Sequence, residues 1–356
     1  MVLSNLTCFL RLCRQILKII YTAFSKKAVH SMKKFLFVSI LACVLAFSAL
    51  GCKPDNAATN AGTKQAQGST AAFAEITDAE NRKVLLAKKP ERVVVMVPSV
   101  LNYVDAVGGT VVGRPSSRHE AEIPASMKKV EEVGHVFNIN MEKVVSLKPD
   151  LVFINDQLHD KFIKMLETNH INAIVLQPKT YEEIKNALMT VGKVYGKEAE
   201  AAKKTKEMDE KISAVLSKVP KDQPKKIVIL HATPSTVTVE LENSIAGNVA
   251  KKIGFTNIAA GSAAIQGKPE KAPYSMEVLV EKNPDIIFIT SMGAKDKIEK
   301  RLQADVKGNP AYAALSAVKN NKVYVLPEDL FLLAPGLRYP EAVELMAKDV
   351  FPESFK

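Results

Sequence analysis

The chain has no tryptophan and, beyond residue 52, no cysteine; its four cysteines are Cys8, Cys13, Cys43 and Cys52. Everything downstream of Cys52 therefore lacks a disulfide, a thiolate nucleophile and a cysteine metal site. Acidic residues are missing from the first 51 positions, which hold seven basic ones (Arg11, Arg14, Lys18, Lys26, Lys27, Lys33, Lys34). Without that segment the formal net charge of +11 shrinks to 42 basic against 38 acidic residues, too small an excess for a nucleic-acid footprint. Also absent are a G-x-S-x-G elbow, a Walker loop, a G-x-G-x-x-G after a strand and an H-E-x-x-H pair, so no motif points to an enzyme. What is present is an ordinary globular composition, 47% hydrophobic and 24% charged, in 356 residues, enough for two lobes with a core each.

The N-terminal segment reads as an address. From Met32 the chain runs MKKFLFVSILACVLAFSALGC: two lysines, an apolar run from Phe35 to Leu50, small residues and Cys52. This is the layout of a secretory signal, and its apolar run is short for a full membrane span. The ending Ala49-Leu50-Gly51-Cys52 resembles a bacterial lipoprotein signal, which implies lipidation of Cys52. Residues 1–31 precede a complete signal with its own methionine and read as a start assigned too early. Residues 53–74 are Ala, Asn, Gly, Thr and Gln with little to bury, which is tether composition.

The body repeats itself. Asn140–Ile154 (NMEKVVSLKPDLVFI) and Ser275–Ile289 (SMEVLVEKNPDIIFI) share Met, Glu, Val, Pro, Asp, Phe and Ile at an offset of 135. Each copy reads as a short amphipathic helix, a Pro-Asp turn and a buried strand. Upstream, RVVVMVPS at 92–99 parallels KKIVILHATPS at 225–235, each a β-branched strand ending in a Pro-Ser loop. Strands alternating with helices indicate parallel βαβ units.

Between the halves, apolar residues recur at helical spacing at Ile184, Leu188, Val191 and Val194, then at Met208, Ile212 and Val215. Thr180 and Glu183 form a capping-box pair, Pro220 closes the stretch, and Gly192 and Gly196 are places where it can bend or break. The fold class expected is α/β, with two similar lobes bridged by one long helix and a ligand cleft between them. The boundaries are a leader at 1–51 (signal peptide 32–51), the lipidated cysteine and tether at 52–74, an N-terminal lobe at 75–179, the bridge at 180–220 and a C-terminal lobe at 221–356. Ligands of open parallel sheets bind beyond the carboxyl ends of the strands. The candidate cleft loops are therefore 97–99, 114–120, 134–138, 155–160, 231–235, 291–294 and 331–338.

The segments TDAENRKVLLAKKPERVVVMVPS, VGGTVVGRPSS, VEEVGHVFNINMEKVVSLKPDLVFI and NPAYAALSAVKNNKVYVLPED resemble the substrate-binding proteins of bacterial ABC importers for iron complexes and vitamin B12, over about residues 75–352. The resemblance implies a monomeric, lipid-anchored receptor on the extracytoplasmic face of the cytoplasmic membrane, with no cofactor of its own. It would work with a permease and a cytoplasmic ATPase. It further implies one docking glutamate per lobe: Glu142 in the first, and Glu242 in the second, with Glu277, the repeat partner of Glu142, as competitor.

The ligand expected is an iron chelate, haem first and a ferric siderophore second, with cobalamin disfavoured because no tryptophan is available to stack on a corrin. The chain also resembles Gram-positive haem-receptor lipoproteins, which set a methionine of the first lobe and a histidine of the second on the iron. Those positions hold Phe137, next to His135, and Met292, so an exchanged axial pair, His135 and Met292, is expected. His231, His159 and His119 lie near strand-end loops, and Tyr103, Tyr274 and Tyr339 are further ligand or stacking candidates. Arg114, Arg118 and Arg338 could meet siderophore charge or haem propionates. Scattered histidines argue against a bare zinc or manganese receptor. An extracytoplasmic enzyme or a structural adhesin are the readings from other classes.

Overall fold

The computed structural model describes residues 72–117, 123–333 and 335–356. The leader, Cys52, most of the tether, and Arg118 and His119 lie outside the described residues. From Ser69 onward the chain forms one compact unit, and no helix among the described residues is long and apolar enough to cross a membrane.

The N-terminal half opens with an antiparallel hairpin, β1 (Ala74–Thr77) and β2 (Lys83–Leu86). There follow β3 (Val93–Val95), α1 (Pro98–Ala106), β4 (Arg114–Ser116), β5 (Glu132–His135), β6 (Asn138–Ile139), α2 (Met141–Ser146), β7 (Leu151–Ile154), α3 (Asp156–Thr168) and β8 (Asn172–Val175). β3, β7 and β8 form a parallel sheet. β4 runs parallel to β5, and a parallel bridge from Val94 to Gly113 ties β4 to β3. The carboxyl ends of these five strands consequently share one edge.

The C-terminal half contains the strands β9 (Lys226–Ala232), β10 (Val237–Glu240), β11 (Thr256–Asn257), β12 (Lys271–Pro273), β13 (Ile286–Ser291) and β14 (Val323–Val325). The strand order is β12-β10-β9-β13-β14, with β11 pairing the start of β9. β9, β13 and β14 are parallel. Both central sheets are apolar on both faces, as parallel strands covered on each side by helices must be. Alternation divides the side chains: Val93, Val95, Leu151, Phe153, Ile227, Ile229 and Phe288 enter one core common to both lobes. Val94, Val152 and Ile154 face a core of the first lobe, and Val228, Leu230 and Ile287 a core of the second.

The bridge comprises two helices rather than one rod: α4 (Tyr181–Tyr195) and α5 (Glu198–Leu216). Thr180 and Glu183 form the expected capping box at the start of α4. Gly196, in the left-handed region at φ 60°, ends it; glycine enters that region without the steric cost a Cβ imposes. The longer helices of the second half are α6 (Ile245–Ile253), α7 (Met276–Lys282), α8 (Lys295–Leu302) and α9 (Tyr339–Val350), with α9 returning to pack on α5 and α6.

The sequence repeat has a physical basis. α2 and α7 are each started by a polar cap, Asn140 accepting from the Lys143 amide and Ser275 from the Val278 amide. The aspartate of each Pro-Asp turn then clamps the first strand of its lobe. Asp150 accepts from the Glu91 and Arg92 amides at 2.8 and 3.0 Å, and its own amide donates to the Arg92 carbonyl. Asp285 accepts from the Lys226 amide at 2.8 Å and returns its amide to the Lys226 carbonyl. Asp150→Ala and Asp285→Ala should each lower stability by about 1–3 kcal/mol, the scale of a lost charge-assisted hydrogen bond. Urea unfolding midpoints check this, with Asp222→Ala, at an exposed position, as the neutral control.

Candidate functional site

The two carboxyl-end edges face each other. α1, which follows β3, packs on the 336–338 turn, which follows β14. The approach is close enough that a Cβ on Gly336 would touch the Tyr103 ring and hydroxyl at 3.4–3.6 Å. The strand-end turns that carry the expected ligand residues follow β5 in the first lobe and β13 in the second, and these are the walls a cleft would have.

On the first lobe the wall is the turn between β5 and β6. Gly134 enters it at φ 106°, where a Cβ would fall 2.6 Å from the Asn138 carbonyl. His135 and Phe137 follow with ring centroids 5.5 Å apart, and Phe137 is 65% exposed. The turn is held from behind by His159 on α3. Its Nε2 lies 2.8 Å from the Val136 carbonyl, and its Nδ1 accepts from the Asn155 amide at 3.2 Å. A carbonyl only accepts and an amide only donates, so the ring carries its proton on Nε2 and is neutral. Burial pushes the His159 pKa below its ordinary value of 6.5. Both ring nitrogens are occupied, which makes His159 a support for the His135–Phe137 turn.

On the second lobe the wall is formed by the ends of β9 and β13. Met292, 40% exposed, continues the ladder by donating its amide to the Ala232 carbonyl. Gly293 follows at φ 125°, with the Pro234 ring 2.9 Å from where a Cβ would sit. Behind Met292, His231, Thr290 and Glu240 form a buried polar row across β9, β13 and β10. Thr290 Oγ1 donates to Glu240 Oε1 at 2.5 Å and lies 3.0 Å from His231 Nδ1. Sequence reasoning named His231 but not Thr290 or Glu240. The only signal was a carboxylate inside a β-branched strand, and strand register alone brings it to the histidine.

The other candidates fall elsewhere. Arg114 is buried, and its guanidinium donates to the carbonyls of Met127, Pro115 and Lys128 while lying 3.0 Å from Glu132. Arg338 is half-exposed and paired with Asp329 and Glu341, both at 2.8 Å. Tyr339 is fully buried, its hydroxyl donating to Asn248 Oδ1 at 2.6 Å, and burial raises its pKa far above the ordinary phenol. Glu142 and Glu277 occupy equivalent exposed positions in the first turns of α2 and α7, whereas Glu242 is paired with Lys251 at 2.7 Å. A concavity of about 800 Å³ lies along α4, bounded by Asp78, Gln177, Glu183, Lys193 and Glu270, and none of the expected ligand residues lines it.

The His159 support carries a pH signature. A histidine whose folded pKa is depressed stabilises the fold fully above its unfolded pKa and loses that contribution as pH falls through 6.5 toward the folded value. Stability of the protein relative to His159→Gln should therefore decline between pH 7 and pH 5, read from urea midpoints of the two proteins across that range.

Residues 93–330 match the sequence model of the family described as periplasmic binding protein. The chain is 28% identical over 323 residues to the Fe(3+)-citrate-binding protein YfmC of Bacillus subtilis, covering 89% of this chain and 95% of that one. It is 26% identical over 243 residues to the high-affinity heme uptake system protein IsdE of Staphylococcus aureus, covering 67% and 79%. A solved ABC transporter substrate-binding protein from Listeria monocytogenes has a TM-score of 0.65 at 27% identity, covering 74% of this chain and 98% of that chain. The strand-end cleft, the duplicated lobes and a family match over more than half of its length agree: this chain belongs to the periplasmic binding protein family.

Proposed function

We propose that this protein is the lipid-anchored substrate receptor of an ABC importer, working as a monomer on the extracytoplasmic face of the cytoplasmic membrane. It captures an iron chelate and delivers it to a permease driven by a cytoplasmic ATPase. The observation that carries the reading is the exposure of Phe137, Met292 and Leu333 on strand-end loops of the two lobes. Apolar side chains in a concave site are the surface a ligand covers. Relatives named for ferric citrate and for haem uptake support an iron chelate as the ligand class. Haem is the form to test first, because exposed apolar side chains suit a porphyrin and because His135 on the first lobe could offer an axial ligand.

Delivery requires a docking face. Glu142 and Glu277 match as repeat partners, each exposed at the start of a capped helix and without an ion pair among the described residues. Val278 and Val280, 42% and 46% exposed, adjoin Glu277 and supply apolar contact area. The Glu242 carboxylate already has Lys251, so Glu277 is the better second docking residue. Charges at such an interface set register and encounter rate.

Titration of the purified full chain in detergent with haem should give a saturable Soret shift at one equivalent, with affinity reduced roughly 2- to 10-fold in Phe137→Ala, the scale of one aromatic contact. Ferric citrate or ferric hydroxamate binding without a haem response would transfer the reading to those chelates, and binding of cobalamin alone would replace it. In transport-competent vesicles, Glu142→Lys combined with Glu277→Lys should reduce uptake at least about tenfold while leaving chelate affinity unchanged, and Glu242→Lys should have little effect.

A further inference from the structure

The buried row behind Met292 is built in the way that metal-ligating histidines are built. His231 is 3% exposed, Glu240 2% and Thr290 1%. Thr290 has one hydroxyl hydrogen, which goes to Glu240 Oε1 at 2.5 Å. Its oxygen is therefore left to accept, and His231 Nδ1, 3.0 Å away, is the donor. Lys271 is the register partner of Glu240 on β12. In the neutral His231 ring the proton sits on Nδ1, which also lies 3.4 Å from Glu240 Oε1, and the lone pair is left on Nε2. No hydrogen bond to Nε2 is present among the described residues, and the His231 side chain keeps 4% of its surface exposed.

The location fits as well. His231 is the register partner of Thr290. Met292, two residues beyond Thr290, shares its side of the strand and stands exposed at the cleft wall. The other described cleft histidines differ: His159 has both nitrogens occupied, and His135 offers its Nδ1 only a 3.4 Å contact from the Phe137 amide.

Resting on the iron-chelate reading, we infer that His231 Nε2 is the second lobe's ligand to the ferric centre of the bound chelate, and that Thr290 and Glu240 are positioning residues that fix its tautomer and orientation. Met292 then contacts the organic part of the chelate and leaves the iron to His231. Such a ligand selects chelates that leave a coordination position open, such as haem or ferric citrate, over saturated hexadentate siderophores. Outer partners of this kind are typically worth 10- to 100-fold in metal affinity.

The test titrates the full chain in detergent with haem, ferric citrate and a saturated ferric hydroxamate, in separate experiments, for wild type, His231→Ala, Met292→Ala, Glu240→Gln, Thr290→Val and Thr290→Ser. Circular dichroism establishes that each variant is folded. Expected are binding of an open-coordinate chelate, a loss of about tenfold or more in His231→Ala, and disappearance of the coupling from the imidazole nitrogen in pulsed EPR, which for haem is separated from the porphyrin nitrogens by 15N labelling of histidine. Glu240→Gln and Thr290→Val should weaken binding and shift the spectrum, Thr290→Ser should restore both, and free imidazole should restore the signature of His231→Ala. Met292→Ala should keep the nitrogen signature. Tight binding with affinity and spectrum unchanged in folded His231→Ala would overturn the inference and leave the iron-chelate reading standing. Retention of the saturated hydroxamate alone would do the same. Failure of all three chelates to bind would remove that reading, and the inference with it.

Discussion

One amide oxygen ties the second lobe to the helical bridge. Asn248 Oδ1, on α6 of the second lobe, accepts from the Tyr339 hydroxyl at 2.6 Å and from the Tyr181 amide at 2.9 Å. The Tyr181 and Tyr339 rings stand 4.9 Å apart, and the Tyr181 hydroxyl reaches Asp209 on α5. The start of α4, the middle of α5, α6 and the start of α9 thus converge on one junction, in which both tyrosine side chains are buried. Its polar atoms are satisfied, which low local dielectric makes both strong and costly to break.

Around this fixed point the lobes share one apolar core, so they are not two beads on a hinge. Lys179 also reaches Glu270 across the joint at 3.3 Å. A cleft of this kind is largely preformed. Its selectivity must then come from side chains at the rims more than from closure around the ligand. The rims are made with some rigidity: a glycine in a positive-φ position beside each wall, His159 bracing one turn, and the Thr290–Glu240 pair bracing the other.

The duplication extends to the hydrogen bonds of the repeated segment. In each lobe the same capped helix offers a glutamate outward, and the same aspartate, one turn further on, pins the first strand. A single segment therefore links the outward-facing helix to the sheet whose far edge carries the ligand loops. The spacing Met-Glu to Pro-Asp shared by both copies reflects that linkage, with the polar ends serving caps and clamps and the apolar strand serving the core.

Much of this was legible in the chain itself. Local chemistry specified the capping box at Thr180, the β-branched strands and the Pro-Asp turns, since each depends on neighbours within a few residues, and the offset of 135 revealed two α/β lobes. Gly196 was visible as a break but not as a definite helix end, because whether a glycine takes positive φ depends on what packs against the helix. The roles of Arg114 and Tyr339 could not be read: a guanidinium bound to three carbonyls and a phenol donating to Asn248 are pairings across long sequence separations. The grouping of His231, Thr290 and Glu240 was equally hidden, because only the register of three adjacent strands puts residues 50 and 59 positions apart into hydrogen-bond contact. The sequence by itself determined the repeated lobes and the strand-end loops, whose causes are local. Tertiary structure decided which polar side chains support the walls and which remain free to meet a ligand, because hydrogen-bond satisfaction is settled only when distant strands pair.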